Sequence, residues 1–100
     1  MSLKTVESMK NWIASNITEE VNLEKMADKV GYSPFYCSVK FHEQVGVTYK
    51  QYSARLKLEF AKQELEKTSS KVVDIAMKFG FRSHEAFTRA FRREYGVAPK

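Results

Sequence analysis

The sequence predicts an all-α fold, with two helix-turn-helix units joined by one long central helix. Three features support this: a 20-residue stretch without Gly or Pro, amphipathic helical spacing outside it, and an internal repeat of one turn pattern. We expect the first unit over about residues 4–47, the linker helix over about 48–67 and the second unit over about 68–100.

The central helix is predicted from residues 48–67, which are rich in Lys, Glu, Leu, Ala, Gln and Arg. Thr48, followed three residues later by Gln51, predicts a capping box at its start. Two apolar stripes run along it, one of Tyr49, Tyr52, Leu56 and Phe60 and the other of Ala54, Leu58, Ala61 and Leu65. A helix about 30 Å long with two apolar sides is expected to pack on one unit before it and one after it.

The first unit is predicted to begin with two helices. Apolar residues at helical spacing indicate an amphipathic helix over residues 4–17, with Trp12 on its buried side. Asn22 is then the predicted N-cap of a short helix over residues 23–30, which Gly31 ends.

A turn pattern occurs twice, with an offset of 49 to 50 residues. In the first copy Ser33 and Pro34 start a predicted helix over residues 34–45, and in the second Ser83 precedes one over 84–95. Each copy has a small Ala, a turn Gly, a Ser cap and an inward apolar pair, Cys37 with Phe41 and Phe87 with Phe91. A helix-turn-helix needs these features, because Ala permits close helix crossing and Gly accepts positive φ at the corner.

The inward pairs leave an outward face on the second helix of each copy. The first face carries Phe35, Ser38, Val39 and His42, and the second carries Glu85, Thr88, Arg89 and Arg92, with His84 at the helix start. Thr and Arg are residue types that read DNA grooves, whereas Phe35 and Val39 offer only apolar contact, for example to thymine methyl groups. A solvated helix face is the alternative interpretation of the second set, and the repeat favours function.

The basic charge is concentrated at the C-terminal end of the chain. The net charge is +5, and residues 68–100 contain seven basic and three acidic side chains. Four of the five arginines lie between Arg82 and Arg93. Because Arg binds phosphate oxygens and guanine edges through two parallel hydrogen bonds, this cluster predicts a polyanionic partner.

Ala27, the Gly31-Tyr32-Ser33-Pro34 turn, Tyr52 with Arg55-Leu56, and above all the second copy from Asp74 to Pro99 resemble the DNA-binding domain of AraC/XylS transcriptional regulators. The resemblance covers nearly the whole chain. It implies seven helices, with both recognition helices in adjacent major grooves of double-stranded DNA. It also implies that the family's short last helix is cut off at Lys100, as in a fragment or a trimmed domain.

The resemblance also implies individual contacts, carried over by position. Base-reading positions fall on Phe35, Ser38, Val39, His84, Glu85, Thr88 and Arg89. Phosphate contacts are expected at Ser33, Arg82, Ser83, Arg92 and Arg93. Val39 occupies a position where many members have arginine, and Lys40 replaces an apolar residue that usually packs inward. RNA polymerase is a further partner to consider, and we expect a monomeric domain whose full-length protein dimerises through a separate sensor domain.

Catalysis has little support in the sequence. His42 and His84 fall in different units without a metal or triad spacing, so we expect no enzyme activity, no metal and no cofactor. Cys37, the single cysteine, is expected to lie in the core and excludes an internal disulfide. No apolar run reaches a membrane span, so we expect a cytoplasmic protein without a membrane partner.

The main alternative is a helical interaction module that binds an acidic protein through its basic C-terminal face. Such a module has no reason to repeat a turn, a cap and an outward face on both sides of a spacer. RNA is a weaker alternative, because no exposed aromatic stacking platform is predicted.

Overall fold

The computed structural model describes residues 3–99, and these form six α-helices and no β-strand. The helices are α1 (Leu3–Ser15), α2 (Leu23–Val30), α3 (Pro34–Val45), α4 (Tyr49–Lys67), α5 (Val72–Lys78) and α6 (His84–Tyr95). The predicted all-α class is therefore confirmed. The chain divides within α4 into two compact units, unit 1 up to Ala54 and unit 2 from Arg55.

Unit 1 is built from α1, α2 and α3, which pack against one another. Its buried apolar side chains are Val6, Met9, Ile13, Ile17, Met26, Ala27, Cys37 and Phe41. The first turn of α4 adds Tyr52, whose ring meets Phe41 edge-on with centroids 5.4 Å apart. The predicted inward pair of α3 is confirmed, and the start of α4 packs on this core.

The turn between α2 and α3 has the predicted caps. The Asn22 side chain accepts a hydrogen bond from the Lys25 amide at 3.0 Å, and Ser33 Oγ accepts one from the Tyr36 amide at 3.2 Å. Gly31 ends α2 at φ 84°, in the left-handed region that a residue without Cβ occupies at low cost. These local bonds satisfy amide donors that a helix start otherwise leaves free.

Unit 2 repeats this plan with α5 and α6, which pack against each other. Its buried apolar side chains are Leu58, Ala61, Ile75, Ala76, Phe79, Phe87 and Phe91. Ser83 Oγ accepts a hydrogen bond from the Ala86 amide at 3.0 Å, which confirms it as the N-cap of α6. The rings of Phe81 and Phe87 meet edge-on at 5.0 Å, so the turn is anchored on the same core.

The C-terminal half of α4 belongs to unit 2 and is tied to it by charged side chains. Glu64 pairs with Lys78 of α5, and Lys62 Nζ lies 4.8 Å from the ring centroid of Tyr95 on α6. Each contact is partly exposed and contributes modestly, about 1 kcal/mol or less. Burial of Leu58 and Ala61 therefore provides most of the attachment.

The start of α4 has the predicted capping box. The Thr48 amide donates to Gln51 Oε1 at 3.0 Å, and the Gln51 amide donates to Thr48 Oγ1 at 3.1 Å. The helix itself begins at Tyr49, directly after the capping residue Thr48.

Two predictions about α1 are wrong. The helix ends at Ser15 instead of residue 17, and the Asn16 side chain donates to the Trp12 carbonyl at 2.9 Å. Such side-chain bonds to the backbone compete with helix continuation. Trp12 is only half-buried, and it lines an open hollow of about 490 Å³ beside Lys29. It is therefore not a core residue.

The second apolar stripe of α4 also needs correction. Ala54 is exposed, whereas its neighbour Ser53 is buried and its hydroxyl has no hydrogen-bond partner among the described residues. The helical period shows which positions of α4 lie on one side. Which of these side chains are buried depends on where another helix packs against α4. Here a small polar residue occupies the buried position.

Cys37 is buried, as predicted, and burial raises the pKa of its thiol above the ordinary value. Because the thiolate is the reactive form, we expect Cys37 to react slowly with a chromogenic disulfide reagent at pH 8. Unfolding the protein in urea should accelerate the reaction strongly, because it exposes the thiol and returns its pKa to normal. Equal rates with and without urea would contradict the buried position.

Candidate nucleic-acid interface

The candidate interface in unit 2 is the exposed side of α6. Phe87 and Phe91 face the core and fix the rotation of the helix. The opposite side exposes the predicted side chains Glu85, Arg89, Arg92 and Arg93. His84 is exposed at the start of the helix, and Arg82 is exposed in the preceding turn. The structure thus brings six of the predicted unit 2 positions to the surface.

The four arginines between residues 82 and 93 form no ion pair with another described residue. Ion pairs within residues 3–99 involve Lys40, Arg55 and Lys78 as the cations, and none involves Arg82, Arg89, Arg92 or Arg93. Glu85 is likewise unpaired, although it lies four residues before Arg89 on one side of α6. A surface that leaves four guanidinium groups without a counter-charge concentrates positive potential for an anionic ligand.

Ser33 and Ser83 combine a structural role with a possible binding role. Each hydroxyl oxygen accepts a backbone hydrogen bond as an N-cap. A capping oxygen still carries its own proton, so the hydroxyl is able to donate to a phosphate oxygen outside the helix. The helix N-terminus adds a favourable field for an anion at this point. Capping and phosphate contact are therefore compatible at both positions.

Thr88 differs from its neighbours on α6. The residue is only half-exposed, and its Oγ1 is buried without a hydrogen-bond partner among the described residues. The hydroxyl is therefore turned toward the protein, and the part that faces outward is carbon. Thr88 was predicted as an outward base-reading residue, and in this conformation its contact with a base would be apolar.

The corresponding face of α3 has a different chemistry. Phe35 is 80% exposed and Val39 is 36% exposed, while Ser38 is half-buried and His42 is exposed. The burial of Cys37 on the other side of α3 confirms the predicted rotation of the helix. This face carries no arginine, and its carboxylate, Glu43, lies four residues beyond Val39 and pairs with Lys40.

Lys40 does not disturb the rotation of α3. Its ammonium group pairs with Glu43 at 3.1 Å and lies 5.7 Å from the ring centroid of Tyr36. The hydrogen bond to Glu43 is the main reason that the pKa of Lys40 is raised. The charged end is therefore held at the surface, and the lysine does not enter the core where an apolar residue was expected.

One exposed basic side chain of unit 2 was not singled out from the sequence. Lys71 is exposed directly before α5 and makes no capping hydrogen bond there. The repeat offset of 49 residues places it opposite Asn22, and that correspondence is the signal that identifies it.

Metal sites and membrane-spanning helices are two further features for which the described residues can be searched. Residues 3–99 contain no cluster of three or more His, Cys, Asp or Glu side chains able to hold a metal ion. Over the same residues, no helix is both long and apolar enough to cross a membrane.

Comparison with known proteins agrees with this geometry. Residues 26–100 match the family described as a helix-turn-helix domain. The chain is 33% identical to the regulatory protein SoxS of Salmonella typhimurium over 94 residues, covering 94% of this chain and 88% of that protein. It is 28% identical to the multiple antibiotic resistance protein MarA of Escherichia coli over 95 residues, covering 95% and 75% respectively.

Solved structures show the same fold. An AraC-type transcriptional regulator from Chromobacterium violaceum superimposes with a TM-score of 0.90 at 26% identity, covering 96% of this chain and 86% of that one. The DNA-binding domain of AdpA, solved in complex with a target DNA, superimposes with a TM-score of 0.81 at 24% identity, covering 95% and 86%.

The repeated turns, their caps and the free arginines of α6 define a helix-turn-helix DNA-binding protein. Within that class, the chain belongs to the AraC/XylS family of transcriptional regulators and forms its DNA-binding domain.

Proposed function

We propose that the chain regulates transcription by binding a specific duplex DNA sequence, with α3 and α6 each in a major groove. One observation carries this proposal: α6 exposes unpaired arginines on the side opposite its buried aromatic residues, directly after a capped helix-turn-helix corner. An α-helix fits the major groove, where base pairs present distinct hydrogen-bonding patterns.

We assign the contacts by residue chemistry. Bases are read by Phe35, Ser38 and Val39 on α3 and by His84, Glu85, Thr88 and Arg89 on α6. Phosphates are held by Ser33, Arg82, Ser83, Arg92 and Arg93. Arg89 lies one turn beyond Glu85 and can reach a guanine edge with two hydrogen bonds, whereas Arg93 lies one turn further toward the helix C-terminus.

The target is proposed to be bipartite. The helix α4 is continuous over 19 residues and runs from unit 1 into unit 2. Its length of about 28 Å is of the same order as the distance of about 34 Å between major grooves one turn apart. We therefore propose half-sites about 10 base pairs apart, read by a monomeric domain.

Further partners follow from the family. RNA polymerase is a candidate contact for an activator, and a sensor domain in a longer protein would supply dimerisation. A DNA target would place the chain in the cytoplasm. The family match does not favour the alternative of an acidic protein partner.

A salt titration tests duplex binding. If about six phosphates are neutralised, the logarithm of the association constant should fall with the logarithm of salt concentration at a slope near −5. Fluorescence anisotropy on a labelled duplex measures this slope, with polyglutamate as the competitor. Salt-independent binding, or tighter binding to polyglutamate than to any duplex, would overturn the proposal.

Arg89 and Arg93 provide a matched pair for separating base reading from anchoring. Arg89→Ala should cost about 1–3 kcal/mol on the preferred site and flatten discrimination at one base pair. Arg93→Ala should weaken all duplexes alike and reduce the salt slope by about one unit. Equal losses on specific and random DNA for both variants would show that the reading face is assigned wrongly.

A further inference from the structure

The two outward faces differ in a way that bears on what each half-site contains. Phe35 is 80% exposed and Val39 is 36% exposed, and they lie four residues apart on one side of α3. Residues at this spacing are neighbours on a helix surface. They form an apolar pair, which we call the Phe35/Val39 patch.

The charged side chains next to the patch pair with each other. Lys40, the single lysine of α3, is paired with Glu43, and its chain runs past the Tyr36 ring. Tyr36 in turn stacks with Tyr32 at 5.2 Å between centroids. These contacts hold the neighbouring polar and aromatic side chains in place and leave the patch as an apolar surface.

The repeat shows what the patch replaces. At the offset of 50 residues, Phe35 corresponds to Glu85 and Val39 to Arg89. Glu85 accepts hydrogen bonds and Arg89 donates them, so both can recognise polar base edges. Phe35 and Val39 can do neither. The same two positions therefore present hydrogen-bonding groups in unit 2 and only carbon in unit 1.

The major groove offers one apolar feature on its base edges, the C5 methyl group of thymine. We infer that the Phe35/Val39 patch reads thymine methyl groups, so the unit 1 half-site is defined by methyl contacts and the unit 2 half-site by hydrogen bonds. This inference rests on the proposed DNA binding and names the base chemistry of one half-site.

The position of the patch fits such a contact. Phe35 lies in the first turn of α3, and the N-terminal residues of a recognition helix are those that contact base edges. Val39 lies about 6 Å further along the helix, which corresponds to about two base-pair steps of about 3.4 Å each. We therefore expect two thymines one or two steps apart, on either strand.

Deoxyuridine provides a direct test, because it lacks the methyl group of thymine and keeps the same base pairing. Bound sequences are first selected from a random duplex pool, with wild-type protein and with Phe35→Ala. The positions whose preference disappears in the variant identify the unit 1 half-site. Each thymine there is then replaced by deoxyuridine, and dissociation constants are measured by fluorescence anisotropy. Burial of one methyl group predicts about fourfold weaker binding per substitution, and about fifteenfold for two.

Variants of the protein test the same contacts from the other side of the interface. Phe35→Ala and Val39→Ala should each weaken binding to the thymine duplex. For each variant, replacing thymine by deoxyuridine at one position should no longer change the dissociation constant. Met77→Ala is the matched control, because Met77 is 59% exposed on α5 and should leave the deoxyuridine effect unchanged.

The outcomes separate the inference from the proposed function. If duplex binding is retained but deoxyuridine has no effect, or if Phe35→Ala remains sensitive to it, methyl reading is overturned and DNA binding stands. A selected half-site without thymine, or an unchanged affinity for Phe35→Ala, also overturns it and leaves the patch to another partner. Failure to bind any duplex would overturn the proposed function itself.

Discussion

Replacement of Phe87 by alanine is expected to lower the unfolding free energy of unit 2 by about 3–5 kcal/mol. Phe87 is fully buried, and the centroid of its ring lies 5.0 Å from the ring centroid of Phe81 and 5.7 Å from that of Phe91. A unit of this size has only a few kcal/mol of stability. We therefore expect α5 and α6 to unfold in the variant, with loss of helical circular dichroism and of amide protection in α6.

Phe35→Ala is the matched control, because it removes the same side chain from an exposed position. Phe35 is 80% exposed, so its removal should change the unfolding free energy by about 0.5 kcal/mol or less. Denaturant titration compares the two variants, and hydrogen exchange identifies which helices lose protection. A loss below 1 kcal/mol for Phe87→Ala would show that α6 is not anchored by this ring.

The helix boundaries were largely predictable, because the signals that set them are local. Asn22, Ser33, Thr48 and Ser83 each cap a helix through a bond that spans three residues. A bond of that span depends on neighbouring residues alone, and the sequence contains all of them. Both helices predicted to be recognition helices accordingly begin and end at the predicted residues.

Burial was less predictable, because it depends on residues far apart in the chain. Trp12 and Ala54 have the apolar character and spacing of core residues, yet Trp12 is half-buried and Ala54 is exposed. Ser53 is buried although it is polar. An apolar periodicity reports which positions are able to face a core, and tertiary packing decides which of them do.

In the candidate site, too, some features were predictable from the sequence and others were not. The exposure of Arg89 and Arg92 follows from their position opposite Phe87 and Phe91, which the helical period predicts. The orientation of the Thr88 hydroxyl does not follow from it, because a rotamer is selected by the atoms around it. Residue positions on a face were therefore predictable, and the atom that each residue presents was not.

Insertion of about five base pairs between the half-sites, half a helical turn, is expected to lower affinity on the order of 100-fold or more. The insertion rotates one major groove to the far side of the duplex. A monomer joined by a rigid helix then binds through one unit only. Unit 2 should remain bound, because it carries the unpaired arginines. Footprinting across a series of spacer lengths measures which half-site stays protected, and a duplex with one half-site sets the lower limit of affinity.

The loss of affinity caused by the insertion should depend on the stiffness of α4. The helix is predicted to be rigid because it contains no Gly or Pro over 19 residues and is packed by Tyr52 in unit 1 and by Leu58 in unit 2. Ala54 and Glu59 are exposed, so replacing both by glycine weakens the helix by about 1 kcal/mol per residue without removing a core contact. This double variant should bind the normal site less tightly but lose less affinity on insertion, because a flexible linker tolerates a change in span. The double variant Ala54→Gln with Glu59→Gln is the matched control, since glutamine favours helix at both positions and keeps the linker stiff.

If the native protein protects both half-sites throughout the spacer series with little loss of affinity, α4 does not act as a rigid spacer.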